Sequence, residues 1–336
     1  MTTDAAELQP FRAEWEAYPP TLGSNPTGGW AVACPRSPLW CDYLADATRR
    51  IVGELGFDGL YLDVSSASAC ANHYHGCGYR RPDAAEWAPT VPVFANRELY
   101  KRLYRLNKGG GRDAVLFRHG MPVAAVAGFV DVVTQGEDWG REGNDQYDRL
   151  TPGIFRAKEM RIQYGTPYTW YTFHHYYRRE KFGGRVPLSA ILTYCLPHRV
   201  LPTAGHLGMW PVWDVVDRFW PKSEFIPYWS PASPIHIEES GVLGTVYVKR
   251  DEKEALLVVA NWNAAPRTVD VAIDVEAMGL DRTRAKLTRA IEHPMLQPED
   301  APDTDRMPNA PLDFRNGRVL LALHGRNLEV LLLSQE

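Results

Sequence analysis

Five short apolar runs, separated by segments of helical spacing, do most to constrain the fold of this chain. The first run is Gly59–Asp63, and before it Tyr43–Leu55 places apolar residues at helical spacing up to the helix-breaking Gly56. The other runs begin at Ala114, Val130, Pro167 and Arg199. Buried runs that alternate with helices predict parallel strands, as in an α/β barrel or a doubly wound sheet.

Polar, titratable residues stand at the end of each run. Because the carboxyl ends of parallel strands meet on one face of such a fold, these side chains are predicted to line one pocket. They are Asp63, then Arg118 and His119, then Glu137 and Asp138, then His174 and His175, and finally His206. Their repeated position predicts an enzyme.

The pattern changes near Ile226, where helical spacing gives way to short runs that alternate with period two, as in Thr268–Ile273. The predicted fold class is therefore α/β: a partial TIM-type β/α barrel over residues 1–225, followed by an antiparallel β-sandwich over residues 226–336. A closed barrel of this type needs about eight strands. Either residues 1–40 hold irregular strands, or the chain is the C-terminal portion of a longer protein whose incomplete barrel associates with a partner.

Charge and hydropathy exclude two classes of partner. The chain has 41 acidic against 37 basic residues, which does not favour nucleic acid, and no apolar run is long enough to span a membrane. The first residues lack the apolar region of a signal peptide, so the expected location is cytoplasmic, or exported if a longer protein carries the chain. Five cysteines leave at least one thiol unpaired within the monomer.

The loop after Asp63 carries Cys70, His73, His75 and Cys77. Three interpretations stay open: a tetrahedral zinc site, a disulfide between the two cysteines in an exported protein, or packing cysteines with His75 in contact with substrate. The last is the expectation, so the sequence prediction includes neither metal nor cofactor.

Several segments resemble a known family. They are FDGLYLDVSSASACANHYHGCGY, VPVFANRELYKRLYRL, CPRSPLWCDYL, DVVTQGEDW and FIPYW…VYVKRDEKEALLVVANWN. They are similar to the C-terminal half of a bacterial glycoside-hydrolase-like barrel, a domain family of unknown function related to family 123 glycoside hydrolases. The resemblance implies a TIM-like barrel, a C-terminal β-sandwich and a sugar substrate. Family 123 uses an adjacent Asp-Glu pair on an N-acetyl sugar, whereas here Val64 follows Asp63.

Glycoside hydrolysis requires two carboxyl groups on either side of the scissile bond. The predicted pair is Asp63 as nucleophile or base and Glu137, beside Asp138 and Trp139, as general acid. The remaining strand-end residues are predicted to bind the carbohydrate, together with Tyr61, His75, Trp139, Trp170 and Trp210. The alternatives are a non-catalytic carbohydrate-binding protein, an inactive fragment of such an enzyme and, less favoured, a zinc-dependent hydrolase.

Overall fold

The computed structural model describes residues 5–19, 29–83, 85, 87–120, 123–136, 150–160, 166–170, 188–202, 210–291 and 312–335. The chain divides into two compact units. The first is Met1–Gln135 with Arg161–Tyr168, and the second is Gly136–Met160 with Thr169–Glu336. The domain boundary predicted after residue 225 stays a prediction.

The described strands are β1 (Gly59–Leu62), β2 (Tyr79–Arg80), β3 (Trp87–Ala88), β4 (Val115–His119), β5 (Val132–Gln135), β6 (Tyr168–Trp170), β7 (Leu201–Pro202), β8 (Glu224–Ile226), β9 (Ile235–His236), β10 (Val242–Lys249), β11 (Glu254–Asn261), β12 (Arg267–Ile273), β13 (Ala285–Arg289), β14 (Arg318–Leu323) and β15 (Asn327–Gln335). The described α-helices are Arg12–Trp15, Pro38–Thr48, Val93–Lys108, Ala124–Ala127, Pro152–Phe155, Leu188–Cys195 and Trp210–Phe219. Wider π-helical turns follow two of them, at Arg49–Glu54 and Arg156–Met160. No helix in the described part of the chain combines the length and the apolar character that a membrane crossing requires.

The five predicted runs form one five-stranded sheet in the order β1-β4-β5-β6-β7. β1 pairs in parallel with β4, and β4 pairs in parallel with β5. Gly59 permits the tight fit of β1 to β4, because a Cβ at this position would lie 2.0 Å from the Val115 carbonyl oxygen. The α/β fold class with a parallel, barrel-type sheet is confirmed.

The two faces of β4 have different surroundings. Leu116 and Arg118 are fully buried, and the Arg118 side chain bonds Tyr100 of the helix Val93–Lys108. On the opposite face, Val115 is 42% exposed. Tyr61 of β1 is half exposed on the same side as Phe117, which its ring meets edge to face at 5.3 Å. Among the described residues, this face of the sheet edge therefore reaches solvent.

The second unit contains the predicted sandwich. Its two antiparallel sheets have the orders β13-β15-β11-β10-β8 and β14-β12-β9, and an aliphatic core fills the space between them. β14 alternates between buried and exposed residues because only one of its faces meets this core. β10 and β11 are buried on both faces, because the helices Leu188–Cys195 and Trp210–Phe219 pack against the outer side of their sheet. The antiparallel sandwich is also confirmed.

Candidate active site at the ends of strands β1 and β4

Asp63 and His119 meet where β1 and β4 end. The Nδ1 atom of His119 lies 2.8 Å from Oδ1 of Asp63. The Asp63 side chain is 59% exposed and that of His119 is 13% exposed, so the carboxylate faces solvent and the imidazole lies behind it. We refer to these two residues as the Asp63–His119 pair.

The backbone after Asp63 is strained in a way that holds the carboxylate. Val64 has φ +45°, a left-handed conformation that β-branched residues rarely adopt. Its backbone N–H donates to Oδ1 of Asp63 at 2.8 Å. Among the described residues, Oδ2 of Asp63 accepts no hydrogen bond. One carboxylate oxygen is thus fixed by two contacts, and the other remains available to a ligand.

A buried polar network supports the loop that follows. The Arg118 guanidinium donates from Nε to the Tyr100 hydroxyl at 2.9 Å and from Nη2 to Ser66 Oγ at 2.8 Å. The Tyr100 hydroxyl in turn donates to Ser65 Oγ at 2.5 Å. Burial raises the pKa of Tyr100, against the opposing effect of Arg118, so the phenol keeps its proton.

The third strand end belongs to β5. Thr134 and Gln135 are buried, and the Thr134 carbonyl accepts a hydrogen bond from the Gly120 N–H at 3.0 Å. The Tyr168 hydroxyl lies 3.4 Å from Gln135 Oε1. Glu137, the predicted general acid, comes two residues after Gln135 in the sequence. The end of β5 that it follows contacts the loop after β4.

Several predicted site residues lie outside the described residues. They are Glu137, Asp138, Trp139, His174, His175 and His206, and the side chain of Trp210 is likewise undescribed. The distance between the two predicted catalytic carboxylates therefore stays a prediction, as do these residues' sugar contacts.

Three predicted substrate contacts need correction, because their side chains are buried. Arg118 is 0% exposed, and its side chain bonds Ser66 in the loop after Asp63. It therefore positions this loop. Trp170 is 0% exposed, and its ring packs on Phe155 and Tyr194 at centroid distances of 5.3 and 5.5 Å, so it has no free face on which a sugar could stack. His75 is 8% exposed and lies among buried cysteines.

Tyr61 and His119 lie close together at the described end of the sheet, and their contacts with a substrate stay a prediction. Tyr61 is half exposed, and its ring centroid lies 6.1 Å from that of His119. Sequence reasoning missed Tyr100, whose hydroxyl joins Arg118 to the loop after Asp63. Only its position on the buried face of an amphipathic helix could have drawn attention to it.

Part of the second unit matches a known family model. Residues 208–317 match the C-terminal domain of glycoside hydrolase family 123. The resemblance to family 123 relatives is thereby confirmed for this third of the chain. No curated protein sequence matches the chain.

Solved structures of similar fold are TIM-barrel glycosidases with a C-terminal β domain. A maltogenic α-amylase from Thermotoga neapolitana superposes with a TM-score of 0.53 at 12% identity, covering 98% of this chain and 74% of that one. An α-amylase from Geobacillus thermoleovorans gives 0.51 at 11% identity, with 99% and 75% covered. A β-L-arabinopyranosidase of family 27 from Geobacillus stearothermophilus gives 0.51 at 10% identity, with 96% and 67% covered. At these identities the likeness establishes the fold.

The described site offers groups that can contact a polar ligand. It offers an oriented carboxylate, an imidazole and the half-exposed phenol ring of Tyr61 at one end of a parallel sheet. An aromatic face beside a carboxylate suits a sugar ring, which has apolar C–H faces and a polar rim.

Proposed function

We propose that this protein is a glycoside hydrolase in which Asp63 and Glu137 form the catalytic pair. The observation that carries the proposal is the state of the Asp63 carboxylate. It stands at the carboxyl end of a parallel strand, fixed through one oxygen and open through the other. The fold it occupies is shared with TIM-barrel glycosidases, where chemistry takes place at this end of the strands.

In this proposal Asp63 acts as nucleophile or general base, and Glu137 protonates the departing sugar oxygen. His119 donates from Nδ1 to Oδ1 of Asp63, so that Oδ2 is the atom presented to the anomeric carbon or to a water molecule. A separation of about 5 Å between the carboxyl groups would give retention, and about 6.5–9.5 Å would give inversion.

The substrate in this proposal is a carbohydrate that stacks on Tyr61 at the exposed face of β1 and β4. The predicted contacts of Asp138, Trp139, His174, His175, His206 and Trp210 belong to the same proposal. They would surround the sugar from the neighbouring strand ends.

A panel of nitrophenyl glycosides tests the proposal. The full chain should hydrolyse at least one member, and Glu137→Gln should slow hydrolysis most for substrates with poor leaving groups, because those need the general acid most. Asp58→Asn is the matched control, since Asp58 is an exposed aspartate next to β1 at its opposite end. Hydrolysis that survives both Asp63→Asn and Glu137→Gln would refute the assignment of the pair.

One observation favours a second candidate, a carbohydrate-binding protein without catalysis. The adjacent Asp-Glu pair expected from family 123 is replaced by Asp63-Val64. If this candidate is correct, calorimetry should show that the chain binds sugars and that Tyr61→Ala lowers the affinity. No glycoside on the panel should be cleaved.

A further inference from the structure

A second group of chemically reactive side chains lies in the same unit. It comprises Cys34, Cys70, His75 and Cys77, which we call the Cys–His group. All four are buried, and their sulfur and nitrogen ligand atoms lie within 4.8 Å of one another. The Sγ atoms of Cys34 and Cys77 are 3.6 Å apart.

Long-range backbone pairing brings these residues together. The N–H of Cys34 donates to the Trp15 carbonyl at 2.8 Å. Cys70 and Thr90 exchange two backbone hydrogen bonds of 2.9 Å each. The Asn72 amide ties the two regions to each other, because it donates to the carbonyls of Ala13 and Glu16 at 2.8 and 2.9 Å.

A tight turn then directs two further ligands inward. Asn72 caps the short helix His73–His75 by accepting from the Tyr74 N–H at 3.0 Å. His73 is exposed and stacks on Tyr74, whereas His75 points into the group. Gly78 closes the turn with φ +82°, and a Cβ there would lie 2.9 Å from the Ala88 carbonyl oxygen. The backbone thus fixes His75 and Cys77 on the same side.

Within the described part of the chain, the buried imidazole of His75 has no hydrogen-bond partner at either ring nitrogen. The Glu16 backbone approaches the ring, but the contact does not have the geometry of a hydrogen bond. His198, a buried histidine of the second unit, shows the usual arrangement. Its Nδ1 bonds the Tyr194 carbonyl at 2.8 Å, and its Nε2 bonds the Tyr228 hydroxyl at 3.1 Å. Buried polar atoms without partners cost free energy, so the His75 nitrogens indicate a missing ligand.

We propose that Cys34, Cys70, His75 and Cys77 bind one structural Zn²⁺ ion in tetrahedral geometry. Three thiolates and one imidazole are a common donor set for structural zinc. With Zn–S bonds of about 2.3 Å, two sulfur ligands of a tetrahedron lie about 3.8 Å apart, close to the spacing of Cys34 and Cys77. The zinc would satisfy one His75 nitrogen and join the segments around residues 34, 70 and 77.

Burial of the thiols is consistent with this assignment. Zinc binding would displace the thiol protons into solvent, and the charge of three thiolates would be balanced largely by the metal. A disulfide would consume two thiols and leave His75 without a partner.

The proposed ion is structural, since four protein ligands leave no open position for water or substrate. A zinc-dependent hydrolase would need such a position. The Cys–His group therefore does not support a zinc-dependent hydrolase. The zinc proposal does not depend on the proposed glycosidase activity.

The test is metal analysis of the full chain, purified without added metal or chelator. Elemental analysis should find about one zinc per chain, and native mass spectrometry should find zinc in place of the displaced protons. Zinc content should be lost in Cys34→Ser and in Cys77→Ser. It should be unchanged in Cys41→Ser, a matched control in the same unit whose sulfur bonds only the Pro35 carbonyl among the described residues.

A second measurement on the wild type keeps the proposal falsifiable if the variants fail to fold. Titration with an organomercurial should release the zinc to a chromogenic chelator in proportion to the thiols modified. Exchange with Co²⁺ should give the thiolate-to-cobalt charge-transfer band and the visible bands of a tetrahedral site. The proposal is overturned by a folded wild type without zinc, by a different metal in the site, or by a native disulfide within the Cys–His group.

Discussion

The Asp63–His119 pair and the Cys–His group both use the loop that follows β1, but their surroundings are opposite. The carboxylate of the pair is more than half exposed, and one of its oxygens is unoccupied among the described residues. The Cys–His group is sealed, with four potential ligands directed at one another. Exposure therefore distinguishes the two regions: the pair is open to a ligand from solvent, and the buried group is enclosed by the fold.

Removal of the proposed zinc ion should separate the two regions most strongly. We expect it to destabilise the first unit by more than about 3 kcal/mol, because structural zinc contributes roughly 10 kcal/mol to small zinc domains. Hydrogen exchange with and without a strong chelator measures this at the mutually bonded amides of Cys70 and Thr90. The amides of β11 in the sandwich are the control and should not change. Equal exchange at Cys70 in both conditions would contradict a structural ion.

The pH dependence of stability tests the contribution of His198, a buried histidine whose two ring nitrogens both have hydrogen-bond partners. Burial lowers the pKa of His198 to about 3, so the folded protein keeps it neutral, while the unfolded chain protonates it near its ordinary value of 6.5. This contribution is fully present above pH 6.5 and is lost as the pH falls toward 3. Between pH 7 and pH 5 the loss should be about 2 kcal/mol.

Urea unfolding at the two pH values checks this expectation in the wild type and in His198→Gln. The variant should lose less stability on acidification, whatever its stability at pH 7. His236→Gln, at an exposed position, is the control and should keep the slope of the wild type. An unchanged slope in His198→Gln would show that other groups govern the acid response.

A smaller effect is expected from the network beneath the exposed pair. Tyr100→Phe removes the hydroxyl that accepts from Arg118 and donates to Ser65, which leaves buried polar atoms short of a partner. The expected cost is roughly 1–2 kcal/mol in unfolding free energy. Tyr104→Phe on the same helix is the matched control, because no described residue bonds the Tyr104 hydroxyl. Equal melting temperatures for the two variants would show that the Tyr100 hydroxyl does not stabilise this network.

Local sequence patterns predicted the elements that their own residues determine. A serine followed by a proline is typical of a helix start, and Ser37 caps the helix Pro38–Thr48 because its Oγ accepts from the Trp40 N–H at 3.1 Å. β1 also lies where the apolar run Gly59–Asp63 predicts a strand. In the sandwich, β12 shows the alternation that its sequence predicts.

Side-chain partners across long sequence distances were not predictable in the same way. The spacing of Cys70, His73, His75 and Cys77 suggested four ligands, yet the turn directs His73 to solvent. Its place in the group is taken by Cys34, which reaches it through backbone pairing with Trp15. Trp170 illustrates the same limit. The local sequence around a tryptophan at a strand end is the same whether the next helix covers the ring or leaves it exposed.

The proposed mechanism depends most directly on Asp63, and one paired measurement on Asp63→Asn tests this dependence. The substitution keeps the side-chain volume and removes the charge, so the melting temperature should stay near that of Asp58→Asn, with a stability change of no more than about 1 kcal/mol. Hydrolysis of the best glycoside on the panel should fall at least a thousandfold in Asp63→Asn, on the order of 4 kcal/mol in the barrier, and should be unchanged in Asp58→Asn. A variant that melts early but turns over at the wild-type rate would show that Asp63 only holds its loop, and would contradict the proposed mechanism.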